Sequence, residues 1–403
     1  MGILVQKFGG TSLTDHERRE RALFHIRKGK EKGYDLVVVV SAMGRKGDPY
    51  ATDTLLSLLE DGEIPPREKD LLMSTGEVIS AAVMSGALWK EGLPNTILLG
   101  GQAGIMTNDR FGNALITDLR PERVRKELEE GKIVIVPGFQ GMTLDGEITT
   151  LGRGGSDTTA TAIGVALGAE YVDIFTDVEG IMTADPRIVR EARPIDVMTY
   201  TEVANLAHLG AKVIHPRAVE IAMQKNIPIR VRSTFGEGEG TLITGITEMN
   251  RSLAAVKDRI VTGVTQVPHI TQVKVRAERG EFDLQLRVFK AMAEHGISVD
   301  FINVSPSGVV YTVYEHEGER TRKILAEMGY EPELLPGCAK VSVVGAGIAG
   351  TPGVMAKIVE ALVEEEIRIL QSADSHTTIW VLVKLEDMNR AVRAIHRKFH
   401  LNE

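Results

Sequence analysis

The stretch ILVQKFGGTS, residues 3–12, runs as a short apolar segment and stops abruptly in a polar, glycine-rich loop. Three further segments repeat that plan: 36–40 before SAMGRKGD, 133–136 before PGFQG, and 172–175 before TDVEG. Runs this short, apolar on both alternating faces, read as buried strands of a mostly parallel sheet. Longer segments with helical spacing lie between them, at 17–32, 68–89, 121–130 and 158–167. Alternating strand and helix predicts an α/β layered fold, in which ligands collect outside the carboxyl ends of the strands. All four polar loops fall at that edge.

Composition narrows the functional classes. The 403-residue chain carries 47 Lys and Arg against 55 Asp and Glu, a formal net charge of −8. With 43% hydrophobic and 25% charged residues it can bury a core, which excludes a disordered or collagen-like chain. At about 150 residues per domain its length predicts two to four domains. No block of Lys and Arg occurs, so neither nucleic acid nor an anionic membrane is an expected partner. Cys338 is the single cysteine, which excludes an intramolecular disulfide framework and a multi-thiolate metal site and predicts a cytoplasmic location. The first residues lack a basic n-region, Gln6 breaks a myristoylation pattern, and no long apolar stretch is expected to target or span a membrane.

The tail has a different organisation. At an offset of 70 residues, VFKAMAEHGISV (288–299) falls on IVEALVEEEIRI (358–369) and VVYTV (309–313) on IWVLV (379–383), without a gap. Each copy reads strand, helix, strand, strand, helix, the core of a ferredoxin-like α+β unit, and a repeat predicts a stacked pair. The segment GEGEGTLITGITEMN, 236–250, has the makeup of a linker and places the boundary.

Three loops carry the chemistry. In Lys7-Phe8-Gly9-Gly10-Thr11-Ser12, paired glycines let backbone amides approach an anion, and the lysine supplies a compact positive charge for phosphate oxygens. No Walker A sequence occurs. In Gly152-Arg153-Gly154-Gly155-Ser156-Asp157, Ser156 or Asp157 is placed to cap the following helix, whose dipole end favours an anion. Arg153 offers a bidentate fork for a carboxylate or phosphate, and the glycines around it point to a ligand lying against main chain. In IFTDVEGIMTADPR, 174–187, Asp177, Glu179 and Asp185 suit magnesium or ribose, although Asp, Gly and Asp-Pro are also ordinary turn formers. Glu77 in STGE and Lys212 in GAKVIHP read equally as solvated charges. Gly345, Gly347 and Gly350 form a G-x-G-x-x-G with Asp374 beyond it, but only 53 residues follow Gly350, too few for a second mononucleotide half. A dinucleotide-binding reading is therefore rejected.

KFGGTS, SAM, STGE, GRGGSDTTA, TDVEGIMTADPR and GAKVIHPRA occur in the order seen in aspartate kinases. The chain resembles the monofunctional bacterial type over essentially its whole length, and SAMGRKGDPYATD and QSADSHTTIWVLV are similar to the Bacillus-type, diaminopimelate-sensitive branch. The resemblance implies an amino-acid-kinase three-layer sandwich over 1–245, followed by two ferredoxin-like ACT modules over 262–335 and 338–403. It implies transfer of the ATP γ-phosphoryl group to L-aspartate, the first step of lysine, threonine and methionine biosynthesis, with Mg²⁺ held mainly through the ATP phosphates. Carried over residue by residue, Lys7, Phe8, Gly9 and Gly10 would meet the ATP phosphates, with Lys7 stabilising the moving group and Ser41 beside them. Thr52 and Glu77 would hold the amino acid. Arg153 would clamp its α-carboxylate with Ser156 adjacent, and Asp157 would orient the reacting groups or their metal. Thr176, Asp177, Met182, Thr183, Ala184, Asp185, Pro186, Arg187 and Lys212 would line the nucleotide.

Two departures stand out. Met182 occupies a position where many relatives have Tyr, and RGEFD (279–283) and FINVS (301–305) differ from the effector loops of lysine- and threonine-responsive relatives. The expected effector is meso-diaminopimelate, with lysine or threonine as alternatives, acting on a homodimer joined through the ACT modules. The rival readings are another amino-acid kinase, such as a glutamate or uridylate kinase, and a non-catalytic amino-acid sensor.

Overall fold

The computed structural model describes residues 2–59, 64–211, 213–245, 260–277 and 282–403. The chain forms two compact units that alternate along the sequence: Met1–Ile181 with Pro194–His208 and Lys212–Val256, and Met182–Arg193 with Leu209–Ala211 and Lys257–Glu403.

The strands of the first unit are β1 (Ile3–Phe8), β2 (Asp35–Val40), β3 (Asn95–Ile97), β4 (Ile105–Thr107), β5 (Ile116–Leu119), β6 (Ile133–Pro137), β7 (Gln140–Met142), β8 (Ile148–Thr150), β9 (Tyr171–Thr176), β10 (Val197–Thr199), β11 (Ile229–Ser233) and β12 (Thr241–Thr244). Its helices are α1 (His16–Glu31), α2 (Thr52–Leu56), α3 (Pro66–Lys90), α4 (Glu122–Glu129), α5 (Gly155–Leu167), α6 (Tyr200–His208) and α7 (Pro216–Met223). Eight strands make one sheet in the order β10-β12-β11-β9-β1-β2-β6-β3, and the four apolar runs are its parallel centre, β9-β1-β2-β6. Parallel neighbours end at a common edge, so the polar loops gather there as their sequence predicts. Leu4, Leu36, Val38, Val40 and Ile135 on one face bury against Leu23 and Ile26 of α1 and Met84 and Leu88 of α3. The opposite face meets α5, a helix of small residues that must come close: a Cβ on Gly164 would lie 2.4 Å from a Val172 methyl. The result is the three-layer sandwich.

One expectation is corrected. Residues 241–244, inside the stretch read as a linker, form β12, which pairs with β10 and β11; residues 246–250 lie outside the described part. Helix α3, 25 residues long, is apolar enough by length and composition to cross a bilayer. Its buried Asp70 and Glu77 and the packing of Met84 and Leu88 identify it as a core helix. Asp70 accepts from Gly112 N–H (2.9 Å), Thr150 N–H (2.7 Å) and the Thr150 hydroxyl (2.8 Å), tying α3 to the second sheet, β5-β4-β7-β8.

The second unit contains β13 (Gly263–Arg276), α8 (Leu284–Glu294), β14 (Asp300–Ser305), β15 (Gly308–Tyr314), α9 (Gly318–Glu327), β16 (Glu333–Val344), α10 (Val354–Glu364), β17 (Gln371–Asp374), β18 (Thr378–Lys384) and α11 (Met388–Lys398). The repeat folds into one continuous antiparallel sheet, β14-β15-β13-β16-β18-β17. The long strands β13 and β16 run through both copies. Val273 pairs with Tyr311 and Val341 with Val381, so the first strands are related by 68 residues while the later strands keep the 70-residue offset. Ile270 and Cys338, equivalent under that relation, pair with each other, and Val267↔Lys340 mirrors Gln272↔Leu335. A pseudo-two-fold therefore passes between Ile270 and Cys338, and each long strand serves both halves. Within this frame one glycine of the dinucleotide-like motif, Gly345, has a local cause: a Cβ there would fall 2.1 Å from the Ile260 carbonyl oxygen.

Candidate active site

The carboxyl end of β1 carries Lys7, and the first turn of α5 carries Asp157. Their side chains form an ion pair, Nζ to Oδ1 2.7 Å, and both are largely shielded from solvent. The glycine turn that follows β1 interlocks with the loop after β2. A Cβ on Gly10 would lie 2.5 Å from the Ala42 carbonyl oxygen, and Gly44 N–H donates to Gly10 O (3.1 Å). Ser41 joins the same arrangement through its N–H to Phe8 O (3.1 Å), while the Phe8 ring is buried and stacked on Phe175 at 4.7 Å. Phe8 thus contributes its backbone to this edge, and its ring to the core.

The GRGGSD turn holds its shape for reasons of its own. Gly152 and Gly154 have φ of 75° and 66°, the left-handed region that glycine occupies without steric cost. A Cβ on Gly154 would lie 2.2 Å from the His215 ring, and one on Gly155 2.6 Å from Phe139. These demands account for all three glycines without invoking a ligand. The expected capping by Ser156 or Asp157 does not occur: the N-cap of α5 is Gly154, with no side-chain cap. Asp157 instead accepts from His215 N–H (3.3 Å) and faces Lys7, while buried Ser156 lies against Gly138. Gly155 N–H donates to Gly152 O (3.0 Å), and the next amides, of Ser156 and Asp157, lie where an anion could meet them. Arg153 is exposed and makes no ion pair among the described residues.

Glu77 lies on α3 with 3% of its surface exposed. Oε1 accepts from Ala42 N–H (3.2 Å), and Oε2 has no partner among the described residues. Gly76 permits this approach, since a Cβ there would lie 2.9 Å from both Ala42 Cβ and Tyr50 O. Burial drives the carboxyl up from 4.5 to about 8, against the smaller opposing effect of the Ala42 hydrogen bond. Thr52 begins the short helix α2, which follows the same loop.

At the end of β9, Thr176 donates to Asp177 (3.3 Å), and Asp177 pairs with Arg45 of the loop after β2 (2.9 Å). The candidates Met182 to Arg187 belong to the second unit. Two of them are engaged within that unit. Thr183 uses its N–H, carbonyl and hydroxyl on Arg193, Val264 and His396, and the Ala184 methyl is buried in the core of that unit. Met182 is half-buried, Pro186 is exposed, and Asp185 is gripped by Arg187 at 2.7 and 3.0 Å, which holds its carboxyl below the usual range. Lys212 and residues 279–281 of RGEFD lie outside the described residues.

Sequence reasoning missed Arg45, quoted only as part of a loop, and His215, one residue before the proline of GAKVIHP. Neither carries a local signal, because each acquires its role from a contact far along the chain. No group of three or more His, Cys, Asp or Glu able to hold a metal occurs among the described residues. With Asp157 on Lys7 and Asp177 on Arg45, the donor set suits a cation that arrives with phosphate ligands of its own.

Residues 2–233 match the amino acid kinase family, and residues 333–397 match the ACT domain. Aspartokinase 1 of Bacillus subtilis (strain 168) is 56% identical over 405 residues, covering 100% of both chains. An aspartokinase of Thermus thermophilus is 40% identical over 416 residues, again covering 100% of each. The structure of E. coli aspartokinase III in complex with aspartate and ADP superposes with a TM-score of 0.78 at 26% identity, covering 98% of this chain and 99% of that one. With its mostly parallel sandwich, its ACT-bearing tail and full-length likeness to these enzymes, the chain belongs to the amino acid kinase family and, within it, to the aspartokinases.

Proposed function

We propose that this kinase transfers the γ-phosphoryl group of ATP to the β-carboxylate of L-aspartate, giving ADP and 4-phospho-L-aspartate. One carboxylate oxygen bonds to the γ-phosphorus as the bond to the β–γ bridging oxygen breaks, and ADP leaves with that electron pair. The acceptor is ionised at neutral pH, so no general base is needed. The observation that carries this reading is the Lys7–Asp157 pair beside the N-terminus of α5, which has no side-chain cap: a cation, an anion and a dipole end at one edge of the sheet. Lys7 and the amides of that N-terminus stabilise charge on the moving group, and catalysis is positioning and electrostatics. Glu77 receives the substrate ammonium, with Thr52 beside it. Arg153, exposed and without an ion pair among the described residues, takes the α-carboxylate, with Ser156 adjacent. Gly9, Gly10 and Ser41 face the phosphates, and Thr176, Asp177, Met182, Asp185, Pro186 and Arg187 the nucleotide. Asp157 would be the carboxylate to orient Mg²⁺ arriving with the ATP phosphates, and the ion would supply neutralisation of their charge.

In this reading the catalytic domain spans 1–245, and the ACT modules 262–335 and 338–403 give feedback control in a cytoplasmic homodimer. Ile302 and Val304, exposed on the edge strand β14, support pairing through the modules. The effector is meso-diaminopimelate. The test is an ADP-release assay over a panel of acidic amino acids, with diaminopimelate, lysine or threonine added in turn. Aspartate alone should turn over, and Lys7→Ala should lower kcat about 100-fold or more with little change in aspartate KM. Unchanged turnover in that variant removes Lys7 from its role, and glutamate turnover overturns the substrate.

A further inference from the structure

Residues 182–193 leave the first unit after Ile181 and return to it at Pro194. The ends of this loop are pinned: Ile195 N–H donates to Ile181 O (2.8 Å), Thr183 N–H to Arg193 O (2.9 Å), and Arg193 N–H to Thr183 Oγ1 (3.2 Å). Its body is built into the second unit. Ala184 and Val189 bury with Ile358 and Leu362 of α10 and Val392 and Ile395 of α11, and Val264 N–H donates to Thr183 O (2.8 Å). The polar member of this contact is His396 on α11, 1% exposed, whose Nε2 lies 3.0 Å from Thr183 Oγ1. Burial lowers the imidazole below its ordinary pKa, outweighing the opposite pull of Glu191, so the ring is neutral at pH 7. The hydroxyl accepts from Arg193 and can donate to the unprotonated Nε2, a tautomer assigned from the hydrogen-bond network.

We propose that His396 is a positioning residue for the nucleotide: by fixing Thr183 it sets the path of the residues on either side, Met182 and Asp185 to Arg187. This rests on the reading above that those residues meet the nucleotide. Nothing else in the proposed chemistry uses a histidine 213 positions beyond Thr183. The apolar anchors Ala184 and Val189 do not depend on the imidazole, so its loss should loosen the segment without detaching it. One buried hydrogen bond between neutral groups, expressed in affinity, corresponds to about threefold to tenfold.

The experiment uses the full chain, with ADP as the calorimetric probe and steady-state kinetics for ATP and aspartate. His396→Leu should weaken ADP binding and raise the ATP KM by about fivefold, leaving kcat and the aspartate KM within about twofold. His396→Gln, which can place an amide near the Nε2 position, should restore nucleotide affinity. A purely structural role would lower the melting temperature of His396→Leu with unchanged nucleotide affinity, and that result overturns the proposal. If the leucine variant does not fold, His396→Asn, too short to reach Thr183, answers the same question. Met182→Ala separates the two layers of inference. Weak ADP binding there beside normal binding in His396→Leu removes only the positioning role, whereas normal binding in both removes the nucleotide assignment of the segment as well.

Discussion

Glu77→Gln isolates the most unusual group in the molecule. In the unfolded chain this carboxyl ionises near 4.5; in the folded protein burial holds it protonated to about 8. A carboxyl raised on folding contributes fully below its unfolded value, and its contribution is lost as pH climbs to the folded one. The span from 4.5 to neutrality, at about 1.4 kcal/mol for each pH unit, makes the buried acid cost the ligand-free protein about 3 kcal/mol at pH 7 relative to acidic pH. Glutamine keeps the acceptor for Ala42 N–H and cannot ionise. The substituted protein should therefore gain on wild type as pH rises from 5 to 8, by about 3 kcal/mol at neutrality. Urea unfolding followed at pH 5, 6, 7 and 8, without ligand, reads the difference. The same substitution should raise the aspartate KM by at least tenfold, and aspartate binding to wild type near pH 7 should release a proton as the incoming ammonium ionises the acid. A stability gap that stays flat with pH, or narrows, refutes the account of the burial. A gap that widens beside an unchanged aspartate KM refutes only the substrate role.

Asp70→Ala leaves two backbone N–H groups and a hydroxyl without their acceptor, and should destabilise the first unit by about 3 kcal/mol or more in chemical denaturation. Gly154→Ala forces a side chain onto a left-handed residue and into the His215 ring; it should lower the melting temperature and displace Asp157, raising the cost of turnover more than of nucleotide binding. Arg45→Ala breaks an exposed ion pair with Asp177 and should change stability by less than about 0.5 kcal/mol, while any loss in nucleotide affinity should diminish in high salt.

The parts of this protein legible in its sequence were those governed by local pattern. The four apolar runs became neighbouring parallel strands because each is apolar on both faces and ends in residues that cannot continue a strand. The 70-residue register of the tail reappears in the pairing of β15 and β18. What was not legible depended on distant packing. The linker-like 241–244 became β12 because β10 and β11 offered it partners. Asp157 faces Lys7 and His215 rather than capping its own helix. Thr183 and Ala184 sit in a motif that reads as nucleotide-facing, yet their side chains are consumed by helices nearly two hundred residues away. Glu77 looked like any helical carboxylate until the fold enclosed it.

The shared strands β13 and β16 also decide how this regulatory tail can be taken apart. Cutting the chain between the two repeats strips each half of a border partner and leaves an open row of amide and carbonyl groups, an invitation to pair with another molecule. Each half therefore relies on the other for the partner of its long strand.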